Sequence, residues 1–182
     1  MTAPPIVRPA RFDETPTVLR IQRLAFGEED EATLVRKLLV DSSAQPCVSL
    51  LALRDGDPVG HVLFTRGTVV GPEESPRIAL LAPLAVVPTA QRQGIGGALT
   101  RAGIAMLRAQ GVELVFVLGH PDYYPRHGFV PAGPLGFEPP YPLPAGHDEA
   151  WMVQALWKGI IGQVRGRMVP AKSLRQPEMW RE

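Results

Sequence analysis

The stretch Gln91-Arg92-Gln93-Gly94-Ile95-Gly96-Gly97-Ala98-Leu99 constrains this chain more than any other. It follows the apolar run Ile78 to Val87 and opens a helical pattern that reaches about Gln110. A strand, a short turn and a glycine-rich helix start together make an anion site. First-turn N–H groups point out of the helix, the helix dipole favours negative charge there, and glycine lets a phosphate approach the backbone. The segment reads as the binding site of a phosphorylated ligand in an α/β fold.

Three patterns compete for it. A Walker loop needs a Lys after its last glycine, and none follows here. The dinucleotide fingerprint would begin at Gly94 but ends on Leu99, and Glu113 stands at the start of the next strand, not at its end where the ribose acid belongs. The pattern Gln/Arg-x-x-Gly-x-Gly/Ala is met at every fixed position by Gln91 to Gly96.

The neighbouring segments narrow the choice. Ile78 to Val87 is continuously apolar, as a strand covered on both faces should be, yet it contains Pro83. A missing N–H there predicts a bulge or a parting from the neighbouring strand. The next strand, Val112 to Leu118, leads through Gly119-His120-Pro121 into Tyr123-Tyr124-Pro125-Arg126-His127-Gly128-Phe129.

These pieces in this order resemble the GCN5-related N-acetyltransferases. Gln91 to Gly96 is similar to their motif A, which wraps the pyrophosphate of acetyl-CoA, and Tyr124-x-x-x-Gly128-Phe129 is similar to the segment that presents a tyrosine beside the cofactor sulfur. The resemblance covers roughly residues 5 to 156. The Leu-Ala-Pro-Leu-Ala-Val run, Val-Phe-Val-Leu-Gly and an extra C-terminal segment also resemble a bacterial YhbS-like subgroup. It implies a mixed α/β sheet of order β-α-α-β-β-β-α-β-α-β-β whose central parallel strands splay. It also implies a domain over 1–156 and an extension over 157–182, packed on the same domain or on a dimer partner.

The chain accommodates that order. Ile6 to Pro9 reads as a strand, and Asp13 as the cap of a helix running to Phe26 with Pro16 in its first turn. Asp30 to Val40 reads as a second helix with an apolar stripe of Leu34, Val35, Leu38 and Leu39. Val48 to Arg54 and Val59 to Arg66 are strands joined by a hairpin at Asp55-Gly56-Asp57. The helix after the glycines places Ile95, Leu99, Ala102 and Met106 toward the sheet. A helical segment is expected near Tyr123, with strands from Phe129 and over Trp151 to Leu156. Between them, residues 131–146 hold six prolines and read as an ordered loop anchored by Leu135, Phe137, Tyr141 and Leu143.

The resemblance implies the chemistry as well: acetyl-CoA, or another short acyl-CoA, gives its acyl group to a primary amine by direct attack in a ternary complex. Backbone groups of Gln91, Arg92, Gln93, Gly94, Ile95, Gly96 and Gly97 would cradle the pyrophosphate, with Arg92 as an extra cation. Leu84, Ala85 and Val86 would hold the pantetheine, and an N–H near Val86 would polarise the thioester carbonyl. Tyr124 takes the family position of the general acid, with Tyr123 as its competitor. The base stays open among His61, His120 and a water chain. Phe26, Glu28 and Glu31, near Glu29 at the junction of the first two helices, join His61 and His120 as candidate acceptor contacts. The alternative is a non-catalytic acyl-CoA-binding sensor that keeps the cleft.

Composition excludes other classes. Across 182 residues the net charge is +1, so no basic excess draws nucleic acid or an anionic membrane. The single Cys47 makes neither an internal disulfide nor a cysteine-based zinc site, which suits a reducing cytoplasm, and it is a poor nucleophile candidate in this setting. His127, His147, Asp148 and Glu149 lack metal-ligand spacing, so no metal is expected. No segment reads as a signal peptide, and no apolar run approaches the roughly 18 residues of a membrane span. The expectation is a cytoplasmic enzyme, with a homodimer left open.

Overall fold

The computed structural model describes residues 3–181. Asp55 and Gly56 both take positive φ, 51° and 86°, the turn whose twist matches two antiparallel strands. It joins β2 (Val48–Arg54) to β3 (Asp57–Val69), with Arg54 opposite Asp57. β1 (Ile6–Pro9) flanks β2, and β4 (Ile78–Val86) lies on the far side of β3. Beyond them come β5 (Leu114–Leu118), β8 (Trp151–Ala155) and β6 (Val130–Pro131), giving the order β1-β2-β3-β4-β5-β8-β6. Along this path only β4 and β5 run parallel.

The helices cover the two faces. His61 of β3 bonds Gln22 of α1 (Thr15–Phe26), whereas Phe64 lies over Gly103 of α3 (Ile95–Ala109). Positions 61 and 64 point to opposite faces by the alternation of a strand, so α1 and α3 sandwich the sheet. α2 (Asp30–Val40) packs beside α1 and buries Ala32, Val35 and Leu38, with Leu34 and Leu39 half-buried. On α3 the buried stripe is Ile95, Leu99, Gly103 and Leu107, with Ile104 alongside, and the expected Ala102 and Met106 sit half-buried at its margin. The stripe turns because the Phe64 ring occupies the space a Cβ at Gly103 would need.

Two further expectations differ from the structure. Asp13 does not cap α1. A 3-10 turn over Phe12–Glu14 comes first, and Glu14 there receives both guanidinium nitrogens of Arg8 at 2.8 and 2.6 Å and the Arg11 amide at 2.8 Å. The short helical segment expected near Tyr123 is present as the 3-10 turn Tyr124–His127, closed by Gly128 at φ 93°. The strand from Phe129 is two residues long, because the chain turns after Pro131 into a second 3-10 turn at Gly133–Leu135.

The proline-rich segment is ordered by its apolar anchors. Phe137 is fully buried and meets Phe116 edge-on at 5.3 Å, and Tyr141 and Leu143 pack at the core's margin. The C-terminal residues join the same body. β9 (Gly166–Val169) pairs antiparallel with the far end of β3 and parallel with β7 (Phe137–Glu138). This partner lengthens β3 past the expected Arg66 to Val69. Asp41, just after α2, accepts from the N–H and hydroxyl of both Ser43 and Ser173 at 2.6–2.9 Å. Trp180 buries its ring edge-on against Trp151 at 5.9 Å.

Candidate active site

β4 and β5 pair only from Ile78–Leu114 to Leu81–Val117 and then part. The cause lies on the other edge of β4. Val62 faces Leu84 and Phe64 faces Leu81, so Ala82 and Pro83 stand where β3 has Leu63 alone. The extra residue is a bulge that bends β4 away from β5, and Pro83 costs it no ladder donor there. Beyond the bulge, the Val87 amide donates to Val59 of β3 at 2.9 Å. An antiparallel ladder alternates its bonds, so the Val86 amide points the other way, into the opening. The Val86 carbonyl on that same edge accepts from Gln91 Nε2 at 3.0 Å.

The opening leads into a cleft of about 810 Å³ that runs past the start of α3. Leu84, Val86, Gln91, Arg92, Gly94, Ile95, Gly96, Gly97, His120 and Tyr124, all sequence candidates, line it together with Tyr123. Ala85 and Gln93 are not among its walls. Ala85 points into the core, and Gln93 braces the loop by donating to the Thr89 carbonyl at 3.0 Å and accepting from Arg54. Ala90, Arg101, Arg126 and His127 also line the cleft and were not singled out from the sequence. Arg101 follows Gly97 by one helical turn, the one local signal available for this group.

The loop before α3 is shaped for an anion. Arg92 at φ 58° and Gly94 at φ 83° are left-handed, which turns the chain sharply into the helix. The first-turn amides of Ile95, Gly96 and Gly97 have no carbonyl four residues back to bond, so they offer donors to the cleft. A Cβ on Gly96 would stand 2.5 Å from the Tyr123 hydroxyl, and one on Gly97 would stand 2.9 Å from Arg101 Nη1. The glycines thus keep open the floor of a site framed by a phenol and a guanidinium. A long ligand with a phosphorylated stretch and a chain that enters the sheet fits these walls.

The two tyrosines divide the cleft between them. Tyr123 sends its hydroxyl to the start of α3, beside Gly96 and Thr100, and Arg126 lies over its ring at 5.3 Å. Tyr124 lies back against Gly119 at the end of β5, where a Cβ would collide with its ring, and meets Phe129 edge-on at 5.6 Å. Burial, then the neighbouring Tyr123, push the Tyr124 phenol well above its ordinary value. The hydroxyl keeps its proton across the physiological range.

His61 is not an accessible base or acceptor contact. It is fully buried within β3, with Nδ1 2.9 Å from Gln22 Nε2 and Nε2 2.8 Å from Ser49 Oγ. Burial pushes its pKa down to about 3, so the ring is neutral at physiological pH. His120 is exposed at the cleft, and its carbonyl receives the Tyr123 and Tyr124 amides at 3.0 and 3.3 Å. Phe26 at the end of α1 and Glu28 after it are exposed, and Glu31 lies half-buried in the first turn of α2. The structure does not bring these three to the cleft wall. Glu29 is held by Arg23. Cys47 is half-buried, and burial raises its thiol pKa, which removes it further from a nucleophile's role.

A mixed sheet parted beside an amide-rich helix start defines a protein that holds a phosphorylated ligand and draws its far end between two strands. Comparison with known proteins agrees. Residues 6–132 match the family model of the acetyltransferase (GNAT) domain. An uncharacterized N-acetyltransferase of Escherichia coli K12, YjhQ, is 52% identical over 140 residues, 76% of this chain and 77% of the relative. The crystal structure of E. coli YhbS in complex with CoA superposes with a TM-score of 0.84 at 27% identity, over 97% of this chain and 96% of that one. A Brucella melitensis GNAT acetyltransferase in complex with acetyl-CoA gives 0.73 at 25% identity, over 94% and 98%. The chain belongs to the GNAT family and is an acetyltransferase. Among the described residues, no helix is long and apolar enough to cross a membrane.

Proposed function

We propose that the chain moves an acetyl group from acetyl-CoA to a primary amine that attacks directly in a ternary complex. The observation that carries this reading is the parting of β4 and β5 beside the first-turn amides of α3, since a thioester must lie in a dry slot while its phosphates are held outside. YhbS and the Brucella acetyltransferase, which were crystallised with CoA and acetyl-CoA, support the co-substrate. Acetyl-CoA supplies the acyl group as a thioester.

The residues divide the work along the cleft. Amides from Gln93 to Gly97 hold the pyrophosphate, and Arg92 adds charge. Leu84 and Val86 flank the pantetheine, and the Val86 amide, turned into the opening, donates to the carbonyl oxygen as it gains charge. One such donor is worth about 3 kcal/mol in a site closed to water. Tyr124, which lines the cleft and precedes x-x-x-Gly128-Phe129, acts as the proton donor to the departing sulfur. The amine enters from the α1–α2 side. Phe26, Glu28 and Glu31, at the junction of α1 and α2, are the candidate acceptor contacts on that side, although they do not line the cleft itself. Their acids suit a cationic amine.

Thermal unfolding with acetyl-CoA, with NAD and ATP as controls, tests the reading first. A ligand at about 100 times its Kd adds roughly 2.7 kcal/mol, which raises Tm by about 5–10 °C for a chain of this size. Stabilisation by acetyl-CoA alone, followed by thiol release with an amine panel, is the expected result. No shift with acetyl-CoA sinks the proposal. A shift without turnover on any amine leaves the sensor alternative in its place.

A further inference from the structure

The cleft carries more positive charge than a pyrophosphate cradle needs. Arg92, Arg101 and Arg126 all line it, and among the described residues none of the three has a carboxylate within ion-pair distance. Among the described residues, Arg126 donates only to the Asp122 backbone carbonyl, at 3.2 Å. Two of the arginines gather at one end. The Cβ direction of Gly96 faces Leu84 and the Tyr123 hydroxyl, toward the splay, whereas that of Gly97 faces Arg101 Nη1 at 2.9 Å and His127 Cε1 at 3.1 Å. The order along the cleft is therefore splay, cradle, then Arg101 with His127.

His127 builds this outer end. Its ring packs against Tyr123 at 5.0 Å, and Tyr123 in turn carries Arg126 on its face. Its Nε2 is buried with no hydrogen-bond partner. Burial, then Arg101 and Arg126, lower its pKa, so both guanidinium groups act on this ring and disfavour a further positive charge there. No carboxylate among the described residues pairs with either arginine, and an anion placed between the two would do so.

Resting on the acetyl-CoA reading above, we infer that Arg101 and Arg126, spaced by His127, form a second phosphate site for the 3′-phosphate of the acyl-CoA ribose. The ligand lies with its pantetheine in the splay and its pyrophosphate on the cradle, so the next phosphate falls beyond Gly97. Guanidinium groups bind a phosphate dianion through charge-assisted, often bidentate hydrogen bonds. The site makes the chain selective for CoA over dephospho-CoA, which shares every other group.

Calorimetric titration of the whole chain with CoA and with dephospho-CoA tests this, on wild type, Arg101→Met, Arg126→Gln and the double variant. Wild type is expected to bind CoA at least about tenfold more tightly than dephospho-CoA. The double variant is expected to lose that preference, its affinity for CoA falling toward that for dephospho-CoA. Equal affinity of wild type for the two ligands overturns the inference and leaves the acetyl-CoA reading intact. An equal loss for both ligands in the variants also overturns it, by assigning the arginines to the shared pyrophosphate. Failure of wild type to bind either ligand removes the co-substrate reading together with this one.

Discussion

β3 and β4 run side by side, yet their two ends are built for opposite purposes. At one end β4 is hydrogen-bonded on both edges, to β3 and β5, from Ile78 to Leu81. There β9 lengthens the sheet, and Asp41 ties α2 to the C-terminal segment. At the other end β4 keeps β3 alone, and its outer edge faces a cleft whose arginines have no carboxylate partner among the described residues. Saturated backbone bonds and buried aromatic rings make the closed end the stable part. The open end leaves donors unused, and unused donors are what a ligand can recruit. Substitutions at the open end should therefore change chemistry and binding without touching the fold, and those at the closed end should do the reverse.

Tyr124→Phe is the severest test at the open end. Acetyl transfer should fall about 100-fold, close to 2.7 kcal/mol in the barrier, with the Kd for CoA and the Tm retained. Thiol-release kinetics beside a binding titration separates the two quantities, and a parallel loss of CoA affinity would make Tyr124 a packing residue only.

Asp41→Ala tests the closed end. Burial disfavours the carboxylate, but the bonds from Ser43 and Ser173 outweigh it and hold the pKa well below the usual range. Their loss should cost about 2 kcal/mol after allowance for partial exposure, and lower Tm by about 4–8 °C, with CoA affinity unchanged. A depressed folded pKa gives stability that is full at neutral pH. The gap between wild type and variant should therefore shrink as pH falls below the ordinary carboxylate value of about 3.9. A gap that widens in acid would contradict the assignment.

Gly96→Ala is the finest probe, because it adds one methyl group where the Tyr123 hydroxyl stands. The phenol must move off the start of α3, and CoA should bind about tenfold more weakly, near 1.4 kcal/mol, while the unliganded Tm barely changes. Unaltered CoA affinity in that variant would move the ligand away from Gly96.

How much of this could be read beforehand follows from the range of each interaction. The Asp55-Gly56 turn, the glycines before α3 and the prolines of residues 131–146 act within a few residues, so their order in the chain announces them. Pro83 announced a departure from regular pairing for the same reason. The helix start at Asp13 was misread because Glu14 is claimed by Arg8 from β1, a partner the helix pattern does not contain. Arg126 and His127 carry no spacing signal toward α3, since the 3-10 turn of Tyr124–His127 meets that helix only after β5 has crossed between them. His61 looked like an accessible imidazole because period-two alternation gives two faces without saying which one is covered by α1.

The sequence by itself determined the local devices: a left-handed entry into a helix with open amides, a strand that must bulge at its proline, and a hairpin that sets the register of β2 against β3. Each depends on steric limits of the backbone at one or two residues, and no distant partner can change those limits. The tertiary structure alone decided that the Tyr123 hydroxyl stands at the start of α3, that His61 is locked between Gln22 and Ser49, and that Arg101 and Arg126 line the same cleft. Those outcomes depend on burial and on charges brought together from separate elements, which exist only once the sheet and its helices have packed.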